Sequence, residues 1–179
     1  MKKNVLVFGL ISGLLISTFM VFAMTSCYKS GTYEGNMIMG FSAMILALSL
    51  MFVAVKNYRD KYNGGVISFG KAFQIGFLVA LIASTMYMLT WAVDYHYFLP
   101  GWMDGYTAHM VKELQSSGKS AAEIAKETKN LQDMKEAYKN PLVFAAYTYL
   151  EILPVGIIVA LITALILKRK NAPADFATA

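Results

Sequence analysis

The chain has 179 residues, 57% of them apolar and 15% charged, with a single cysteine and a formal charge of +5. That composition excludes a disordered chain, a collagen-like repeat, a disulfide-built scaffold and a multi-cysteine metal domain. The charges are so unevenly spread that long charge-free runs set the class of the protein.

A bilayer core of about 30 Å takes about 20 apolar helical residues to cross, at about 1.5 Å per residue. No charged side chain occurs from Asn4 to Tyr28, from Gly35 to Val55 or from Ala72 to Val93, and Glu151 alone interrupts the run from Leu142 to Leu167. A helix satisfies its own backbone polar groups in hydrocarbon, where an open sheet does not. The expected fold is therefore all-α, an integral membrane four-helix bundle. Residues 1–99 carry helices 1–3 at about 5–27, 36–55 and 71–95, residues 141–170 carry helix 4, and 171–179 form a tail. Between helices 3 and 4, residues 100–140 make an extracytoplasmic helical hairpin.

Lys and Arg set orientation, and acids bias it little. Lys2, Lys3, Lys56, Arg59, Lys61, Lys71, Lys168, Arg169 and Lys170 fall on the side shared by the two termini, against Lys29 and six lysines dispersed through the insertion. Both termini are expected in the cytoplasm, in the inner membrane of a bacterial cell. The positive charge is then a topology signal, and no nucleic-acid partner is expected. Met24-Thr25-Ser26-Cys27 resembles a lipoprotein cleavage box, but the apolar run before it exceeds the usual signal core of about 7–15 residues, so an uncut helix 1 is the preferred reading over a lipidated Cys27.

Small residues four apart mark every helix, among them Gly9 and Gly13, Gly76 and Ala80, and Gly156 and Ala160. Such ridges let helix backbones approach closely in lipid. They serve packing inside the bundle or, in a second reading, a homo-oligomer. In the insertion, Ser120-Ala121-Ala122-Glu123 is a capping-box pattern. Ile124, Leu131, Met134 and Tyr138 then recur at helical spacing up to Asn140-Pro141. A shorter helix over about 107–116 pairs with it, and its outer surface is a candidate dock for a membrane or extracytoplasmic protein partner. Trp91, Tyr95 and Trp102, with neighbouring rings, read as an aromatic belt at the membrane interface.

Glu151 lies nine residues inside helix 4, about 14 Å from its end. A carboxylate there costs a few kcal/mol, so the neutral acid is the expected form. Pro154 frees the carbonyl of Leu150 and marks a structural kink. Ser84, Thr85 and Thr18 fall at similar depth, and with Glu151 they are candidates for a polar pocket that binds a proton or ligand. The alternative is a buried hydrogen bond that fixes helix register. Asp94, His96 and His109 are weak metal candidates without a recognisable ligand spacing. No phosphate loop or nucleophile elbow occurs. No catalytic activity and no cofactor are expected, and the lipid bilayer is the first partner.

Three separated motifs occur in order: Tyr58-Arg59-Asp60-Lys61 with Gly65-Val66-Ile67-Ser68-Phe69-Gly70-Lys71-Ala72-Phe73, then Glu151-Ile152-Leu153-Pro154-Val155-Gly156, then Leu167-Lys168-Arg169-Lys170. In these the chain resembles the bacterial membrane family called domain of unknown function 4199, over roughly residues 4–170. The resemblance implies four inner-membrane helices with an extracytoplasmic insertion between the last two, and no activity. Glu34 matches the acidic residue associated with the start of helix 2 and joins the ligand candidates on that basis. Lys56, Arg59 and Lys61 read as contacts to anionic headgroups at the membrane interface. The expected role is a small accessory or scaffold component acting through helix and hairpin contacts. The alternative is a carrier of protons, cations or a small solute at Glu151 and Pro154.

Overall fold

A computed structural model describes residues 1–33 and 35–170; Glu34 and the tail 171–179 lie outside the described residues. The described residues form seven α-helices: α1 (Lys2–Ser30), α2 (Met37–Leu48), α3 (Leu50–Tyr62), α4 (Phe69–Val93), α5 (Trp102–Ser116), α6 (Ala121–Ala137) and α7 (Pro141–Leu167). Among the described residues, four spans are long and apolar enough to cross a bilayer: α1, α2 together with α3, α4 with its extension to Phe98, and α7. The protein is a helical, multi-pass membrane protein.

Local sequence explains the helix ends. Asn36, Ser68, Ser120 and Asn140 each accept a backbone N–H of the helix that follows, replacing a partner that the first turn lacks. The capping box at Ser120 is complete, since Glu123 also accepts from the Ser120 backbone at 3.0 Å. Gly31 ends α1 at φ 68°, in the left-handed region that glycine enters without strain. The second span runs to Tyr62, beyond the expected end near residue 55, and is broken at Ser49, whose Oγ donates to Leu46 O at 2.7 Å. Its charged last turns follow directly on the buried Ala54 and Val55. α5 starts at Trp102 rather than near residue 107, because Gly101 turns the chain at φ 75° directly before it. Helix 4 ends at Leu167, and Arg169 pairs instead with Ile67 through two backbone hydrogen bonds of 2.8 and 2.9 Å.

α4 is the central rod, packed against α1 on one side and α7 on the other. The small-residue ridges make both contacts. A Cβ added at Gly9 would lie 2.8 Å from Ile82 Cβ, and one at Gly13 2.9 Å from Met86 Cβ. The two glycine contacts advance together along the chain, so α1 and α4 run parallel. Across the other face, Gly156 opposes Ala80 at 2.7 Å and Gly76 opposes Ala160 at 3.0 Å, an antiparallel register. Burying more apolar surface gains little in lipid, so this close van der Waals contact drives association.

At the end holding the termini, Asn4 Nδ2 donates to Ala54 O at 2.6 Å and Asn57 Nδ2 to Asn4 Oδ1 at 2.9 Å. Arg59 donates to both carboxylate oxygens of Asp60, at 2.6 and 3.1 Å, and to Leu167 O at 3.3 Å. Arg59 is therefore engaged inside the protein, whereas Lys56 and Lys61 stay exposed.

The opposite end is closed by rings. Trp91 and Trp102, expected in an interfacial belt, are buried and pack edge to face at 5.9 Å. Phe144 stacks on Trp91 at 6.5 Å and touches Tyr138 at 5.0 Å, and Tyr95 meets Tyr138 at 5.8 Å. Offset and edge contacts of this kind are favoured by the ring quadrupole and add about 0.5–1.5 kcal/mol per pair beyond burial. Tyr97 and Phe98 are the rings that remain exposed here. α5 and α6 pack on one another above this cluster. Lys135 on α6 pairs with Asp104 on α5, and Tyr28 Oη donates to Pro100 O at 2.8 Å.

Candidate functional site

The residue that interrupts the fourth apolar run faces a narrow crevice. Ile16, Phe19, Met20, Ala23 and Met24 of α1 form one wall, and Gly35 to Met44 around the start of α2 form another. Tyr87 of α4 and Glu151 of α7 complete it. Its volume is about 70 Å³. Drug-sized ligands need about 300–1,000 Å³, and a water's share of the liquid is about 30 Å³. The crevice therefore suits an ion or one to three waters.

Glu151 Oε1 accepts a hydrogen bond from Tyr87 Oη at 3.1 Å. Pro154 frees the carbonyl of Leu150, but the partner that the structure shows for this carboxyl is the hydroxyl of Tyr87. Tyr87 is 5% exposed, so its hydroxyl needs an acceptor, and Glu151, itself on the exposed side of α7, supplies one. No Lys, Arg or His lines the crevice among the described residues. Pro154 sits inside a helix that continues unbroken to Leu167.

The hydroxyls expected beside Glu151 lie elsewhere. Thr85 donates to Leu81 O at 2.7 Å and pairs with Tyr149 Oη at 2.7 Å. Ser84 is fully buried, and its Oγ has no hydrogen-bond partner among the described residues. Thr18 donates to Leu14 O at 2.8 Å and lines an open groove between α1 and α4 with Ser17, Thr25 and Lys29. At 100° per residue, Thr18 faces away from Ile16 and Met20, which line the crevice. Depth along a helix placed these residues at one level, and helix rotation separated them.

The weak metal candidates do not converge. Among the described residues no three His, Cys, Asp or Glu side chains come together. Asp94 is buried at the end of α4, His96 Nδ1 lies 2.8 Å from Ala92 O, and His109 Nε2 lies 3.9 Å from Glu113 Oε1.

Comparison with known proteins adds a family. The model described as protein of unknown function (DUF4199) matches residues 7–169, nearly the whole chain. The chain belongs to the DUF4199 family. No curated protein and no solved structure matches. The DUF4199 match takes in the crevice, the basic loop and the α5–α6 pair alike.

Sequence reasoning missed Tyr87 and the methionines of the crevice. Tyr87 was hidden because an aromatic ring inside an apolar run counts as apolar. Its signal was the hydroxyl, which must find a partner wherever the ring is buried.

Proposed function

We propose that this DUF4199 protein is a small, non-catalytic accessory or scaffold component of a bacterial inner membrane, acting through its helices and its α5–α6 hairpin. The observation that carries the reading is that α6 contributes no buried residue, although Lys135 ties it to Asp104 of α5 and the Tyr138 ring just past its end packs on Tyr95 of the bundle. A helix that adds little to the core but is held in place offers a water-facing surface. Lys126, Lys129 and Asp133 form an exposed stripe along it. The asymmetry of Lys and Arg supports cytoplasmic termini and an extracytoplasmic hairpin. Crosslinking and affinity capture from native membranes test the role. A stoichiometric partner released by Lys126→Glu with Lys129→Glu supports it, and a chain that purifies alone from gently solubilised membranes rejects it.

The Glu151–Tyr87 pair favours a second reading, a carrier of a proton, cation or small solute. Intramembrane acids and interrupted helices recur at transport sites. Flux measured in proteoliposomes, with and without Glu151→Gln, separates the two. Flux that the substitution abolishes supports the carrier, and absence of flux in both forms rejects it.

A further inference from the structure

We infer that the Glu151 crevice is a binding site for a soft monovalent cation, Cu(I) or Ag(I), held by methionine thioethers with the Glu151 carboxylate as its counter-charge. The inference deepens the carrier reading by naming the class of ion. Four methionines, Met20 and Met24 from α1 and Met39 and Met44 from α2, line this one crevice together with Glu151 and Tyr87. Met20 and Met44 are buried, and Met39 is exposed.

Three physical comparisons select the ion. The first is donor type. Hard cations such as Ca²⁺ take about six to eight oxygens, whereas among the described residues the side-chain oxygens here come from Glu151, Tyr87 and Asn36. Asn36 Oδ1 already accepts from Met39 N at 3.0 Å. Thioether sulfur is a soft donor and selects Cu(I) among the common metals. The second is charge. Among the described residues the crevice has one carboxylate, which neutralises one monovalent cation, while a divalent ion would leave it a net positive charge at a depth where uncompensated charge is costly. Among the described residues no basic side chain lines the crevice to oppose cation entry. The third is size, since about 70 Å³ admits a largely dehydrated ion and excludes a bulky ligand.

Silver alone is a suitable probe, because Ag(I) shares the donor preference of Cu(I) without its redox chemistry. The test uses the full-length chain in detergent with Cys27→Ala, so that the single thiol does not bind the probe. The expected result is one equivalent of silver retained through gel filtration. Its affinity falls at least tenfold in Met20→Leu with Met44→Leu, and again in Glu151→Gln, while sodium and zinc do not displace it. Met24→Leu with Met39→Leu gives a second pair of changes away from the buried core, should the first pair fail to fold. Absence of stoichiometric silver, or affinity unchanged in the folded lining variants, overturns the proposal. Flux abolished by Glu151→Gln in a protein that binds no silver overturns the ion assignment and leaves the carrier reading in place.

Discussion

Tyr87 on α4 donates its hydroxyl proton to Glu151 on α7 at 3.1 Å, so the one acid within the fourth span is bound to the bundle's central helix. Removing either partner has unequal consequences. Glu151→Gln keeps an acceptor for Tyr87, and its thermal midpoint should stay within about 2 °C of wild type, given that a net hydrogen bond contributes about 1 kcal/mol. Glu151→Leu leaves the buried hydroxyl unpaired at a cost of about 1–3 kcal/mol. A detergent melt of both variants measures the difference, and equal midpoints would count against the bond.

Helix contacts predict a second contrast. Gly156 faces Ala80 so closely that an added Cβ would lie 2.7 Å from its Cβ. Gly156→Val should destabilise by about 1–3 kcal/mol through overpacking. Gly40→Ala meets nothing within 4 Å and should leave the melt unchanged or raise it, since alanine favours helix by about 0.5–1 kcal/mol over glycine.

At the other end, Arg59→Ala should cost about 1.5–3 kcal/mol, because the guanidinium bridges Asp60 and the carbonyl of Leu167. Arg59→Lys should recover only part of this, since an ammonium does not reproduce the planar fork. Lys56→Ala, at an exposed position, is the neutral control. Chemical denaturation of the three variants gives the order.

The α5–α6 pair should have a pH window. Hydrogen bonds from Ser120 hold the Glu123 carboxyl below its usual range. That contribution is complete above the unfolded value of 4.5 and is lost as pH falls through the lower folded value. Asp104 raises Lys135 above its usual 10.5. That contribution is complete below 10.5 and is lost as pH rises through the higher folded value. Hydrogen-exchange protection of α6, corrected for the intrinsic rate, should fall at both extremes. In Ser120→Ala the acid limb should flatten, and in Asp104→Asn the alkaline limb.

The spans were legible because lipid permits few charges, and the charge-poor runs mark α1, α4 and α7 closely. The Ser120 cap was legible because its chemistry is local. Arg59 was not, because its partner Leu167 lies 108 residues away and nothing at either position announces the other. Trp91 and Trp102 were read as interfacial because composition near a span end cannot distinguish a ring at the headgroups from a ring folded back beneath a loop. The polar pocket expected from depth failed on rotation: Thr18 and Thr85 share a level with Glu151 and face other neighbours. Tyr87 was within reach, since any buried hydroxyl in a greasy helix calls for an acceptor.

The two-bond clasp between Ile67 and Arg169 fastens the entry of α4 to the exit of α7. Lys170 consequently leaves the bundle from a fixed point, one residue beyond the clasp. A spectroscopic probe placed there moves with the central rod, so distances measured from it gauge the spacing of neighbouring molecules and carry little slack from the chain itself.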